Sequence, residues 1–186
     1  MLLAKSKRLF VAIAFPAPVR DALLTLTTPS PGVAWTPPEQ LHLTLRFLGD
    51  VPPEKIEAII AHLATVRVEP FVLPIEGLGA FPLKSPPRTL WVGVGRGHPH
   101  LHQLRQRIDD ALLAAGLLEL EVRTFHPHVT LARCTEKAAP AMARWLRTHP
   151  EFVAPPFRVG AFDLVASELQ PAGAVHARVQ RFELAK

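Results

Sequence analysis

Two short segments constrain this chain more than any other feature: His42-Leu43-Thr44-Leu45 and, 86 positions later, His128-Val129-Thr130-Leu131. Both read His-x-Thr-Leu. With 9 His, 11 Thr and 27 Leu in 186 residues, chance supplies about 0.08 copies. Each copy lies in an apolar run that reads as a strand, Leu41 to Leu48 and His126 to Arg133. Residues two apart on a strand share a face. His42 therefore projects with Thr44, and His128 with Thr130, while Leu43, Leu45, Val129 and Leu131 point into a core. A fold that brings the two strands together makes a cleft of two imidazoles and two hydroxyls. That is a proton-transfer site around an anion. A single His-x-Thr on a half-buried strand is ordinary surface, and the repetition carries the functional reading.

The rest of the chain alternates strands and helices. A buried strand spans Leu9 to Phe15, and a helix opens at Pro16 and runs to about Thr28, with proline where its missing N–H costs nothing. Pro29 to Pro38 reads as a loop, and Glu54 to Val66 as a helix with Ile56, Ile59, Ile60 and Leu63 on one face. Phe71 to Phe81 reads as a strand bulged around Gly77 and Gly79, and Thr89 to Val94 as another. Helices follow at His98–Ala115 and Glu136–Thr148, with Glu121 to Thr124 leading into the second motif strand. Phe157 to Leu169 and Ala174 to Leu184 form a terminal hairpin. Each half offers strand, helix, motif strand, helix, strand, strand, the outline of a worn duplication within one two-lobed domain over residues 1–186.

Composition adds limits. The chain is 48% hydrophobic and 20% charged, with no apolar run near the length of a membrane span. The apolar stretch after Lys5, Lys7 and Arg8 is only seven residues long before Pro16, short for a secretion signal, so a cytoplasmic protein is expected. A single cysteine, Cys134, excludes an internal disulfide. The net charge of +5 suits an anionic partner without a dense basic stripe of the kind RNA modules show. Twenty prolines and no asparagine fit a heat-tolerant source. No apolar face asks for a partner, so a monomer is expected.

Other candidates are subordinate. Arg46 shares the parity of His42 and Thr44 and is expected to add charge to the cleft. Arg133 lies off the parity of His128 but ends its strand, where a guanidinium can curl back to a phosphate. His126 shares the parity of His128 and is either a third cleft imidazole or a surface residue. His98 and His102 stand one helical turn apart, yet no carboxylate or thiolate motif joins them, so a solvated helix start is expected and no metal. Gly93-Val94-Gly95-Arg96-Gly97 lacks the Lys-Ser/Thr of a phosphate loop and reads as a turn. Asp109-Asp110 reads as a salted helix face.

Two histidines with two threonines suit the opening of a 2′,3′-cyclic phosphate. One group deprotonates water, another protonates the departing ribose oxygen, and they must stand on opposite sides of phosphorus. Histidine serves either role near neutral pH, and hydroxyls with an arginine stabilise the equatorial oxygens.

The segments Leu41-His42-Leu43-Thr44-Leu45-Arg46-Phe47-Leu48-Gly49 and Phe125-His126-Pro127-His128-Val129-Thr130-Leu131-Ala132-Arg133 resemble those of the two-histidine phosphoesterase superfamily. Within it they are similar to the RNA 2′,3′-cyclic phosphodiesterases, also called 2′-5′ RNA ligases. Arg8-Leu9-Phe10, Pro87-Arg88 through Trp91, and Ser167-Glu168-Leu169 extend the likeness. The resemblance implies a bilobal α+β fold with two pseudo-symmetric antiparallel sheets lining a central cleft and helices outside. It implies cleavage to a 2′-phosphomonoester, with His42 as acid at the 3′ oxygen, His128 as base on water, Thr44 and Thr130 holding the phosphate, and Arg133 in support. No cofactor is implied. The implied partners are RNA with 2′,3′-cyclic phosphate ends, tRNA fragments among them, or cyclic nucleotides, and reverse 2′-5′ ligation is included. His176 stands where the family usually has tyrosine, which leaves base preference open. A cyclic phosphodiesterase of a small metabolite such as ADP-ribose cyclic phosphate and a non-catalytic nucleotide-binding module are the alternatives.

Overall fold

The computed structural model describes residues 6–95, 98–118, 124–170 and 173–185. Arg96, Gly97 and the Glu121–Arg123 approach to the second motif lie outside them. In chain order the elements are β1 (Lys7–Ala14), α1 (Ala17–Leu24), β2 (Val33–Trp35), β3 (His42–Val51), α2 (Pro53–Leu63), β4 (Phe71–Glu76) and β5 (Leu78–Phe81). They continue with β6 (Thr89–Gly93), α3 (Pro99–Ala114), β7 (His128–Cys134), α4 (Ala139–Thr148), β8 (Val153–Val159), β9 (Ala161–Gln170) and β10 (Gly173–Glu183). Among the described residues, all four α-helices begin with proline in the first turn and none has a side-chain cap. Pro thus does the work of starting helices, since its ring is pre-set for the first turn.

The main sheet runs β10-β9-β1-β3-β7-β6-β5, all antiparallel, with β2 pairing off this path with Ala132–Cys134 at the end of β7. Its two halves meet through one registered pair, Leu43 with Val129. On either side the order is mirrored: β3, β1, β9 on one flank and β7, β6, β5 on the other. These are the expected two antiparallel lobes, and they exchange strands. β6 and its hairpin partner β5, the last strands of the first half of the chain, join β7 of the second, and β9 of the second half pairs with β1. β4 and β8 form a separate antiparallel ribbon, one strand from each half.

Two expected single strands are each broken by this arrangement. Phe71 to Phe81 divides at Gly77, whose φ of 79° no side-chain-bearing residue adopts easily, so β4 joins the ribbon and β5 the main sheet. The 157–169 strand divides likewise at Gly160 between β8 and β9. Trp35, read as loop, lies in β2, donates its indole N–H to the Thr28 carbonyl at 2.8 Å and packs edge-on against Trp145.

The apolar faces of the sheet and the helical stripes share one core. Leu101, Leu104, Ile108 and Leu112 of α3 recur at helical spacing and are buried with Leu43, Leu45, Val129 and Leu131. Each fully buried side chain of this size contributes roughly 1.5–3 kcal/mol. Sliding either motif strand by one residue would bury the histidines and expose those leucines, so the core fixes the register that keeps His42 and His128 on the opposite face. No helix among the described residues is long and apolar enough to cross a membrane.

Candidate active site

The seam sets the two motifs crosswise. With Leu43 opposite Val129 in an antiparallel pair, Thr130 stands opposite His42 and His128 opposite Thr44. Directly opposed residues hold their Cβ atoms about 5 Å apart, and diagonal ones about 7–8 Å. The imidazoles therefore occupy one diagonal of a small rectangle and the hydroxyls the other. All four residues are partly buried, whereas Leu43, Leu45, Val129 and Leu131 are buried on the far side.

Each imidazole is held by the main chain two residues before it. His42 Nδ1–H donates to the Gln40 carbonyl at 2.6 Å, and His128 Nδ1–H to the His126 carbonyl at 2.7 Å. A carbonyl only accepts, so the hydrogen resides on Nδ1 in both rings. Nε2 is the nitrogen left for a ligand. A neutral ring of this tautomer is a base at Nε2, and a protonated one is an acid there.

Aromatic walls differ between the lobes. His42 lies 4.8 Å from the Phe10 ring and 5.1 Å from His176, which also meets Phe10 edge-on. His128 meets Phe81 edge-on at 5.1 Å and Trp91 at 6.4 Å. The Trp91 ring lies across Gly79, where a β-carbon would overlap it. Burial drives His42 down to about 4, against the Gln40 hydrogen bond that favours its charged form, with His176 and His128 adding to the depression. Burial also lowers His128, and His176 is lowered for the same reason. Both motif imidazoles are therefore neutral at neutral pH.

Beyond the threonines the two strands share an irregularity. β1 matches Ala12 to Thr44 and Val11 to Arg46, passing over Leu45; β6 matches Trp91 to Thr130 and Leu90 to Ala132, passing over Leu131. Each bulge turns two successive residues inward and returns the next one to the cleft face. Leu45 with Arg46, and Leu131 with Ala132, are buried; Phe47 and Arg133 are exposed.

This corrects the expectation for Arg46. Its guanidinium turns to the helix side, where Nε lies 3.7 Å from Asp109 Oδ1, and Asp109 also pairs with Arg105. Asp109 thus belongs to a buried charge cluster beneath the sheet. Arg133, out of phase on a plain count, is brought into phase with His128 by the bulge and pairs in register with Thr89. His126 precedes β7, is exposed, and packs against Trp91 at 5.2 Å and Phe81 at 5.4 Å. It lines the cleft wall as well as lending its carbonyl. His98 and His102 diverge: His98 and His100 stack on Phe71, and His102 turns to Phe125. The helix start is solvated as expected, with His100 and His102 exposed, and it also carries the ring stack on Phe71 at the head of α3.

Sequence reasoning missed the two carbonyl anchors, which carry no residue-type signal. It also placed neither Phe10, Phe81 and Trp91 as walls nor His176 against His42, since those contacts need the strand order.

The LigT-like phosphoesterase family model matches residues 13–91 and 93–176. An RNA 2′,3′-cyclic phosphodiesterase of Aeropyrum pernix is 37% identical over 139 residues, 74% of this chain and 78% of that one. One of Thermus thermophilus is 35% identical over 187 residues, 95% of this chain and 90% of that one. Among solved structures, TT0787 of Thermus thermophilus has a TM-score of 0.79 at 30% identity, covering 95% of this chain and 97% of that one. Escherichia coli LigT in apo form gives 0.80 at 26% identity, covering 98% and 100%. The same protein complexed with 3′-AMP gives 0.77 at 27%, with the same coverage. The matched ranges hold both motif strands, both bulges and the seam between them, and the chain belongs to the LigT-like phosphoesterase family.

Proposed function

We propose that this protein hydrolyses the 2′,3′-cyclic phosphate ends of RNA or nucleotides to 2′-phosphomonoesters. The observation that carries the proposal is the crosswise rectangle, with both imidazoles offering Nε2 and both hydroxyls between them. The names of its relatives and the 3′-AMP complex of Escherichia coli LigT support a nucleotide substrate.

In this reading the phosphate sits within the rectangle, accepting hydrogen bonds from Thr44 and Thr130 and support from Arg133. His128 Nε2 removes a proton from water as it attacks phosphorus. The bond to the 3′ oxygen breaks in line, and His42 Nε2–H protonates that oxygen. The free cleft holds His42 neutral, and the anionic phosphate reverses this by favouring an imidazolium beside it. The acid is thus charged by substrate binding. An RNA 5′-hydroxyl in place of water follows the same path to a 2′-5′ bond. Each lobe supplies one imidazole, so residues 1–186 act as one two-lobed unit.

The test is hydrolysis of a 2′,3′-cyclic mononucleotide and a cyclic-phosphate RNA end in EDTA, with phosphate position read by phosphorus NMR. A 2′-phosphate is expected, and His42→Ala or His128→Ala is expected to lower kcat by about 10²–10⁴ each. A folded His128→Ala protein turning over at the parental rate would overturn the mechanism.

A further inference from the structure

A cavity of about 600 Å³ opens beside the rectangle on the His128 side. Trp91, His126 and Pro127 form its border with the cleft, and Phe125 and Phe152 line its walls. Glu76 and Glu151 are the charged side chains among the described residues that line it. Gly95 keeps it open on the Glu76 side, since a β-carbon there would strike the Glu76 carboxylate. Resting on the function proposed above, we infer that this cavity holds the 5′-terminal nucleoside of an acceptor strand, one with a free 5′-hydroxyl and a base rich in N–H donors.

Position comes first. In the proposed reaction the attacking oxygen approaches from His128, so whatever replaces water as nucleophile must lie on that side. The Trp91 ring is 6.4 Å from the His128 ring, a span that one ribose bridges between its 5′ oxygen and its base. Chemistry comes second. Flat aromatic faces accept an unstacked base, while two carboxylates repel a phosphate and accept hydrogen bonds from amino groups. Guanine, with N1–H and its amino group side by side, matches a carboxylate best, and uracil offers one N–H. A 5′-phosphorylated nucleoside has neither the charge nor the hydroxyl that the site requires.

The step is balanced without a cofactor. His128 Nε2 takes the proton of the 5′-hydroxyl, the new O5′–P bond forms, the P–O3′ bond of the ring breaks, and His42 Nε2–H protonates O3′. The product is a 2′-5′ linkage.

The experiment uses the full chain with 2′,3′-cyclic CMP and the acceptors GpA, UpA or pGpA, and reads the ratio of transfer product to 2′-CMP in each sample. With GpA that ratio is expected to rise and saturate. UpA should give at least tenfold less and pGpA none, and Glu76→Gln with Glu151→Gln should bring GpA down to the UpA level. Because the ratio is internal to each sample, partial unfolding of a variant leaves it readable. Hydrolysis with no transfer, transfer equal for GpA and UpA, transfer that never saturates, or a ratio unmoved by the two substitutions would each overturn the acceptor site while the hydrolase stands. No hydrolysis in the acceptor-free control would instead overturn the proposed function.

Discussion

Replacing His42 by asparagine should make the protein less sensitive to acid. In the folded state burial holds His42 down at about 4, against 6.5 for an ordinary histidine. A group with a depressed folded pKa binds its proton more readily in the unfolded chain, so as pH falls through 6.5 the unfolded state gains a proton that the native state refuses. The resulting destabilisation starts near pH 6.5, grows as pH falls and levels off below about 4. Over the whole window the shift corresponds to about 3.4 kcal/mol, and at pH 5 linkage gives about 2 kcal/mol, against almost nothing at pH 7.5. These are upper values, because the ring keeps one face open to the cleft. The side-chain amide of His42→Asn places an N–H where Nδ1 stood, so the bond to the Gln40 carbonyl survives and the comparison isolates the titration. Urea unfolding of both proteins at pH 7.5 and pH 5 gives the four free energies needed. The parent is expected to lose up to about 2 kcal/mol more than His42→Asn on acidification. Equal losses in the two proteins would refute the claim that burial, rather than some other feature of the cleft, sets the state of this ring.

Three further outcomes follow from the same geometry. The pH profile of kcat/KM, which reports the free protein, should be a bell with both limbs below 6.5, because burial lowers both His42 and His128; initial rates from pH 3.5 to 8 check this, and an alkaline limb above 7 contradicts it. His176→Phe should raise the midpoint of His42 in an NMR titration, since the neighbouring imidazole is one of the groups depressing it; a fall would show that the contact acts otherwise. Gly79→Ala should cost about 1–3 kcal/mol in a urea melt and shift Trp91 fluorescence, because the new β-carbon enters the space of the indole ring.

The wet and dry faces of both motif strands were legible in the sequence because alternation is a local property. His42, Thr44, His128 and Thr130 needed nothing beyond parity and repetition to be grouped. Parity failed at Arg46 and Arg133 for one shared cause. A bulge adds a residue to one strand without changing its composition, and no residue type at Leu45 or Leu131 announces it. Strand order was equally hidden. That β5 and β9 cross to the opposite lobe depends on where Gly77 and Gly160 break the chain and on which edges are free. His176 could not be set beside His42 until β10, β9 and β1 were laid in sequence across the sheet.

The near-symmetry of the frame and the asymmetry of the proposed chemistry are connected. A dyad through the Leu43–Val129 pair maps His42 onto His128, Thr44 onto Thr130 and one bulge onto the other, so the frame alone gives two equivalent bases. Acid-base work needs two different ones. The difference comes from the residues that the dyad carries onto unlike partners. Phe47 corresponds to Arg133, and Ala12 to Trp91, by their places in the two registers. On the His42 side Phe10 and His176 close over the imidazole, and burial holds it neutral. On the His128 side Phe81 meets the ring edge-on, Trp91 stands off at 6.4 Å and a cavity opens beside it, which in the proposed mechanism gives room for the attacking oxygen. In the proposed mechanism the two matching strands supply the opposed geometry, and the walls decide which nitrogen gives the proton and which takes it.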